Sequence, residues 1–386
     1  MTSMTTIAET ARPVPSPAAI TQLRQDVRAF IERERAAGRI RPGRQSWTTF
    51  DREFSLRCAE RGYIAMTMPR AYGGHERTAR ERYVVCEELL AAGAPLGSHW
   101  IADRQSGPQI LRNGTDALKS RVLPQIAAGR CTFGIGMSEP DSGSDLSSIR
   151  TAAAKVDGGW RLNGRKVWTT NAHHAEYMIV LCRTEPKGEN RNAGLSQLVV
   201  ALDGAGITVR PIVNILGVEE FNEVVFDDCF VPDENLLGQR GDGWKLVTQE
   251  LSFERSGPDR ILSTFAVLSA LAEAAQTSED RHAQAELGRM LARLVAIRKL
   301  SLSISERLAL GEPIGADATI MKELGTTLEQ EIPDVARRLI GARPDLSGNG
   351  VDAVLATAIL SAPSFSLRGG TREILKGIIA RELGLR

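Results

Sequence analysis

The chain has 386 residues, 42% of them hydrophobic, 25% charged and 5% aromatic. That length accommodates two or three compact regions, each with its own core, and the ordinary apolar fraction excludes disorder for the bulk of it. Charge is balanced, 48 basic against 47 acidic residues for a net +1, which argues against a polyanion-binding protein and leaves room only for a local basic patch.

The N-terminal MTSMTTIAETARPVPSP has neither a basic start nor an apolar core, so residues 1–16 read as a disordered tail without an export signal. From Pro17 to about 130 the pattern predicts an all-α domain. Apolar residues three and four apart run from Ile20 through Val27 to Phe30 and Ile31, and a second run from Glu81 to Ala92 stops at Gly93. At Cys131 the texture changes. Trp160-Arg161-Leu162 and Lys166-Val167-Trp168 flank Asn163-Gly164, a hairpin-turn signal, and strands are expected at 178–182, 197–201 and 223–226. Residues 131–240 therefore read as a β domain, a small barrel or sandwich. Helical periodicity returns near Gly243 and lasts to the end, giving a second all-α domain over 241–386. There Leu287, Leu291, Leu294, Ile297, Leu300, Ile304 and Leu308 trace one apolar stripe. The expected class is α+β, with the β domain between two helical ones, and this order argues against a Rossmann sheet.

Three signals point elsewhere and are set aside. The five cysteines (Cys58, Cys86, Cys131, Cys182, Cys229) are far apart with no CxxC pair, which predicts reduced thiols in a cytoplasmic protein. Gly348-Asn349-Gly350-Val351-Asp352-Ala353 fits a dinucleotide fingerprint, but no strand precedes it, so it reads as a turn between helices. His173-His174 reads as a solvated hairpin edge, because adjacent side chains on a strand point to opposite faces and the other three histidines are scattered.

Three separated segments carry chemistry. Gly136-Met137-Ser138-Glu139-Pro140-Asp141-Ser142-Gly143-Ser144-Asp145, at the entry to the β region, combines small hydroxyl residues with glycine, which lets backbone N–H groups approach a flavin or phosphate. Lys166-Val167-Trp168-Thr169-Thr170-Asn171 sets an indole beside two hydroxyls, a means of lying against an aromatic cofactor and bonding its ring edge. Arg368-Gly369-Gly370-Thr371-Arg372-Glu373-Ile374 places paired glycines before a helix-starting threonine, an anion-accepting N-terminus. Singly, each also fits an ordinary turn, core strand or helix cap.

Together and in this order they resemble the acyl-CoA dehydrogenase family over nearly the whole chain. The family's TEPxAGSD motif is matched by Ser138-Glu139-Pro140-Asp141-Ser142-Gly143-Ser144-Asp145 and its W(I/T)T motif by Trp168-Thr169-Thr170. Its EVxFDxVxVP stretch is matched from Glu223 to Pro232, and the C-terminal GTxEI and IIAR pieces are present. The resemblance implies FAD, an acyl thioester and α,β-dehydrogenation, in which a carboxylate removes the α-proton and flavin N5 takes the β-hydride. It places FAD against Ile135, Met137, Ser138, Gly143, Ser144, Trp168, Thr169, Thr170, Thr371 and Glu373. Substrate would meet Ser144, Phe253 and Arg255, and the backbone N–H of Gly369 would stabilise the enolate as it forms. Electrons would leave to an electron-transfer flavoprotein.

Family branches place the base at one of two positions. One puts glutamate immediately before the C-terminal Gly-Thr, where this chain has Gly369. The other puts it before an arginine on the helix after the β domain, and Leu251-Ser252-Phe253-Glu254-Arg255 supplies it, so Glu254 is the expected base. Glycine at 369 opens space near the acyl α-carbon, favouring branched, bulky or ring-bearing acyl groups. Two departures stand out. The RxxFG segment, whose arginine reaches the neighbouring subunit's FAD, survives only as Arg281, and the QxxGGxG piece is replaced between Ala342 and Gly350. The expected function is thus an FAD-dependent acyl-CoA dehydrogenase acting as a homodimer or homotetramer. Alternatives are a dehydrogenase of acyl groups on a carrier protein and a partner subunit of a heterotetramer with an incomplete FAD site. A flavin monooxygenase or nitroalkane oxidase on the same fold fits less well, because the oxidases use an aspartate base.

Overall fold

A computed structural model describes residues 14–41, 45–277 and 279–385. The tail expected over 1–16 lies outside them as far as Pro13. Ser16 already caps α1 (Pro17–Ala36), its hydroxyl accepting from Ala19 N at 3.2 Å with Pro17 at the first helical position. Asp51 caps α2 (Arg52–Glu60), and Thr78 and Glu81 form a reciprocal capping box on α3 (Ala79–Ala91), which ends at left-handed Gly93. A π-helical turn over Ala102–Ser106 leads into α4 (Gly107–Asn113), and α5 (Asp116–Ala127) completes this block. Val27, Phe30 and Ile31 of α1 are buried in the same core as Phe54 of α2 and Val85 of α3.

The strands are β1 (Phe133–Gly136), β2 (Ala152–Val156), β3 (Gly159–Thr170), β4 (Tyr177–Arg183), β5 (Leu195–Ala201), β6 (Ile207–Val213), β7 (Glu219–Pro232) and β8 (Leu236–Leu237). They form one eight-stranded sheet in the order β6-β7-β3-β2-β4-β5-β8, with β1 parallel to β4. Leu162 of β3, Val180 of β4, Leu198 of β5 and Phe226 of β7 share a single buried cluster, so the sheet curls over its own core. Its other face, through Phe133, Ile179, Val199 and Leu237, joins the core of the helices.

Asn163-Gly164 is not the hairpin turn the sequence suggests. β3 runs straight through it, and the turn falls at Asp157-Gly158, between β2 and β3. The pair lies opposite a bulge in β7: pairing shifts from Leu162–Cys229 to Gly164–Phe226, so Asp227 and Asp228 together face Asn163, whose Oδ1 accepts from Asp228 N at 2.8 Å. Gly164 has φ +144°, and a Cβ there would stand 2.5 Å from Thr151 Oγ1, so glycine serves a close approach. His173-His174 is likewise not a strand edge. Both lie in a 3₁₀ turn over Ala172–His174, His174 stacked on Phe50 and His173 Nδ1 within 2.8 Å of Asn222 Oδ1.

The second helical block comprises α6 (Gly243–Ser256), α7 (Phe265–Thr277), α8 (Arg281–Ala309), α9 (Asp317–Leu339), α10 (Val351–Ser361) and α11 (Arg372–Glu382). On α8 the buried stripe runs through Met290, Leu294, Ile297, Ser301 and Ile304, whereas Leu291, expected in it, is 40% exposed. Gly348-Asn349-Gly350 is a turn before α10, with no strand ahead of it. No described helix is long and apolar enough to cross a membrane. All five cysteines are free and buried.

Candidate active site

Buried bonds join the first two sequence motifs. Lys166, fully buried on β3, donates to Glu139 Oε1 at 2.8 Å and to the Met137 carbonyl at 3.0 Å. Glu139 also accepts from the backbone N–H groups of Arg150 and Thr151, and Val167 N donates to the Ser138 carbonyl at 3.0 Å. Burial alone would push the Glu139 carboxyl up. Lys166 and these donors outweigh it and hold the group below its usual range, as a carboxylate. Ile135, Met137 and Ser138, on and just after β1, are half-buried, while Gly143 and Ser144 are exposed. A Cβ at Gly143 would meet nothing within 4 Å.

At the end of β3 the backbone turns through left-handed Trp168, φ +63°. That conformation is costly for a bulky residue, and it leaves the indole 59% exposed and T-shaped against Phe221. Thr169 beside it is fully buried, and its Oγ1 has no partner among the described residues. An exposed aromatic face held in a strained backbone, next to an unsatisfied buried hydroxyl, fits a planar ring with polar edges such as the flavin of FAD.

The third motif meets α6. Arg255 Nε donates to the Gly369 carbonyl at 2.8 Å. Gly369 and Gly370 both have positive φ, +69° and +100°, and a Cβ at 369 would stand 3.4 Å from Glu254 Oε1. The Glu254 carboxylate therefore borders the space that a side chain at 369 would enter. Thr371 caps α11, and Glu373 stands exposed in its first turn. Phe253 packs its ring under the Arg112 guanidinium at 4.4 Å. Arg281 stands exposed at the start of α8 and makes none of the contacts that join the other predicted residues.

Around Glu254 the structure adds charges that sequence reading missed. Its side chain keeps 18% exposure and accepts from Arg260 Nη2 at 2.8 Å. The last carbonyls of α6, which lack helical partners, take arginine donors instead: Arg104 Nη2 reaches Phe253 O at 2.6 Å and Glu254 O at 2.9 Å, and Arg260 Nε reaches Glu254 O at 3.0 Å. Arg104 pairs with fully buried Asp259, and a Cβ at Gly257 would overlap the Arg104 guanidinium. Arg368 donates to Glu329 Oε2 at 2.7 Å, and Lys322 donates to the Phe365 carbonyl at 2.9 Å, so α9 anchors the segment that ends in Gly369. Burial, with Arg260 and Arg368 nearby, brings the Lys322 amine down to about 7. Trp47 lies between Arg260 and Arg368, 5.6 and 5.7 Å from their guanidinium carbons. One helical turn before Glu254, Glu250 is buried, and desolvation together with the Glu254 charge raises it to about 8. The i−4 spacing of Glu250 was the one signal in the sequence that could have drawn attention to it. A lone arginine six residues after a glutamate carries no such signal.

A partly accessible carboxylate beside a glycine loop can take a proton from a bound substrate. No group of three or more metal-ligating side chains occurs among the described residues.

Comparison with known proteins gives one family throughout. The profiles "Acyl-CoA dehydrogenase, N-terminal domain", "middle domain" and "C-terminal domain" match residues 18–130, 134–229 and 241–384. The acyl-CoA dehydrogenase IpdE1 of Mycobacterium tuberculosis is 34% identical over 351 residues, 89% of this chain and 90% of that protein. Mitochondrial isovaleryl-CoA dehydrogenase of Arabidopsis thaliana is 30% identical over 335 residues, 82% of this chain and 80% of that one. Among solved structures, the Tcur3481-Tcur3483 steroid ACAD superposes with a TM-score of 0.85 at 28% identity, covering 96% of this chain and 98% of that one. The ChsE4-ChsE5 complex of Mycobacterium tuberculosis gives 0.80 at 27%, covering 97% and 99%. Three consecutive profile matches and a relative of this similarity establish that the chain belongs to the acyl-CoA dehydrogenase family, whose members are FAD-dependent oxidoreductases.

Proposed function

We propose that the chain dehydrogenates an acyl-CoA thioester between its α- and β-carbons with Glu254 as the base. The observation that carries this is the pairing of Glu254 with Gly369: the carboxylate borders the space that a side chain at 369 would otherwise occupy. FAD, when bound, supplies the acceptor for the β-hydride. Trp168 would lie against its ring, the hydroxyls of Thr169 and Thr170 would meet its edge, and Ile135, Met137, Ser138, Gly143, Ser144, Thr371 and Glu373 would complete its site. Arg255 positions Gly369 through its carbonyl, and Arg260 holds the Glu254 carboxylate in place. Lys322 and Arg368 fix the approach to that loop from α9. A base needs such orientation as much as basicity.

Glu254→Gln keeps shape and polarity and removes the proton acceptor. The variant purifies yellow, and anaerobic bleaching of its flavin by acyl-CoA is lost. Bleaching at an undiminished rate would rule Glu254 out. With glycine at 369, the acyl group is branched, bulky or ring-bearing, and electrons pass to an electron-transfer flavoprotein. Transfer from a carrier-protein thioester is tested by offering both carriers to the same enzyme.

A second reading concerns assembly. Two of the similar structures bear two-chain names, and RxxFG survives here only as exposed Arg281. Both facts support a heteromer in which a different chain completes the FAD site. Flavin content of the chain purified alone decides between this and a homo-oligomer, since a colourless folded protein excludes the self-sufficient enzyme. Domain limits of 17–130, 131–240 and 241–386 follow the same reading.

A further inference from the structure

Buried nitrogen donors gather at Trp47 without an acceptor. The guanidinium carbons of Arg260 and Arg368 lie 5.6 and 5.7 Å from its ring. Arg260 Nη1, Arg368 Nε, Arg368 Nη1 and Trp47 Nε1 are all buried, and none has a hydrogen-bond partner among the described residues. The rest of each arginine is anchored. Arg260, 3% exposed, gives Nη2 to the Glu254 carboxylate at 2.8 Å and Nε to the Glu254 carbonyl at 3.0 Å. Arg368 gives Nη2 to Glu329 Oε2 at 2.7 Å and to Ser263 Oγ at 2.9 Å, and its guanidinium carbon lies 4.3 Å from the Phe365 ring. The unused donors are therefore held in place, and leaving them unmatched costs stability.

The carboxylates nearby are engaged elsewhere. Asp259 is paired with Arg104 and Arg260, Glu329 with Arg368, and Glu254 with Arg260. Glu220 of β7 lies near enough for Arg368 to feel its charge, but it is hydrogen-bonded to Asn214 and forms no ion pair with either arginine among the described residues. Burial, with both arginines nearby, brings the Lys322 amine down to about 7, so this field opposes a further cation and favours an anion. Room for a ligand adjoins the cluster. Trp47, Asp259 and Ser263 line a cavity of about 500 Å³ between the two helical blocks, walled otherwise mostly by apolar side chains such as Leu90, Phe265 and Val354. Trp47 touches both arginines, Asp259 is paired with Arg260 and Ser263 accepts from Arg368, so the cavity meets the cluster through direct contacts. A carboxylate brings about four acceptor sites on two oxygens, and its bonds to guanidinium groups are charge-assisted. A neutral carbonyl accepts two bonds and leaves other donors empty.

We propose that Trp47, Arg260 and Arg368 form a subsite for a carboxylate carried on the acyl group, remote from the thioester, and that the apolar wall of the adjoining cavity takes the hydrocarbon that bears it. The inference rests on the reading of Glu254 as the base, because Arg260 joins the two places: one of its terminal nitrogens holds the base and the other is left for the ligand. It adds to that reading the class of substrate, a CoA thioester that keeps a second, free carboxylate.

The test uses CoA thioethers, which lack the thioester carbonyl and so have no acidic α-proton. They carry a cyclohexylmethyl, cyclohexylethyl, cyclohexylpropyl or cyclohexylbutyl group, each with either a methyl or a carboxylate opposite on the ring. Binding to the holoenzyme with native Glu254 is measured by titration calorimetry. At one spacer length or more the carboxylate form binds at least tenfold more tightly than its methyl counterpart, whereas a merely apolar pocket reverses that order. Trp47→Phe keeps a ring beside both guanidinium groups and removes one donor. It cuts the preference roughly tenfold, for one lost bond to a charged group, leaves affinity for the methyl form within threefold, and does not lower the Tm of the ligand-free protein. Arg368→Lys keeps the charge but not the planar fork, and the preference falls by a similar factor. An unchanged preference in both variants, or tighter binding of the methyl form at every length, overturns the subsite. Flavin bleaching by the matching carboxyacyl-CoA is then compared between the native enzyme and Glu254→Gln. Bleaching that survives the substitution counts against Glu254 as base and leaves the subsite standing on the thioether result.

Discussion

Gly369 and Glu254 share one small volume, and this explains why the family's two base positions exclude each other here. The glycine has φ +69°, a region that costs a residue with a Cβ about 1–2 kcal/mol. A Cβ there would also stand in van der Waals contact with Glu254 Oε1, 3.4 Å away. Gly369→Ala is therefore expected to lower stability by about that 1–2 kcal/mol and to fill the space beside the carboxylate. The loss in kcat/KM should be larger for ring-bearing acyl-CoA than for butyryl-CoA, since the methyl enters the space the bulky group needs. Equal losses for both substrates would mean that the methyl acts through the loop alone. At this scale the sequence was informative where a motif fixes spacing: Glu254-Arg255 and Gly369-Gly370 were both found and are in contact. Arg104, Arg260, Arg368 and Lys322 were not found, because their contacts join separate elements or pass through a turn that only the fold defines, at separations from 6 residues (Arg260 to Glu254) to 155 (Arg104 to Asp259) with no shared spacing.

Among the elements, β3 does the most to assemble the site, and it was also the element the sequence misread. Asn163-Gly164 carries the composition of a tight turn, yet the surrounding pattern stays strand-like. Pairing with β7, which takes up the register shift as a bulge at Asp227-Asp228, lets β3 run on to Trp168. A hairpin at Asn163 would have placed Lys166 and Trp168 on a different strand from Trp160. The real strand instead brings Lys166 under Glu139, so one buried ion pair ties the loop after β1 to the strand that ends in Trp168-Thr169-Thr170. Removing one partner strands the other charge in the interior, at a cost of about 3–5 kcal/mol. Lys166→Met should lower the Tm by several degrees and reduce bound flavin, and the double variant Lys166→Met with Glu139→Gln should recover much of both. If the double variant is no better than the single one, the pair is dispensable to the site. The helices were easier to read: Gly93, read as the stop of a helical run, does end α3, while the caps Ser16 and Thr78, which the sequence reading did not name, act by equally local chemistry.

Across the whole molecule, the near-neutral charge balance conceals a concentration of buried ionisable groups where the N-terminal helices, α6 and α9 meet. Asp259, Arg260, Lys322 and Glu329 are all under 4% exposed there, and Glu250 lies one turn from the base. Composition cannot show this, because it counts charges without placing them. The placement makes stability depend on pH in opposite directions for two groups. Glu250 keeps its proton in the fold up to about 8, whereas in the unfolded chain a glutamate releases it near 4.3. Between those values the folded state binds more protons than the unfolded one, so this residue's contribution falls as pH rises, by up to about 1.4 kcal/mol per pH unit. Lys322, brought down to about 7 in the fold, binds fewer protons than its unfolded counterpart from there up to about 10.4, so its contribution improves as pH rises through that interval. The two overlap only between about 7 and 8, and pH 5 to 7 therefore reports Glu250 alone of this pair. Glu250→Gln, which cannot titrate, is expected to gain Tm over the native chain progressively from pH 5 to 7, and Lys322→Met to gain most on the acid side of its own interval, near neutrality, relative to pH 10. Parallel Tm–pH curves for Glu250→Gln and the native chain would show instead that Glu250 is ionised in the fold.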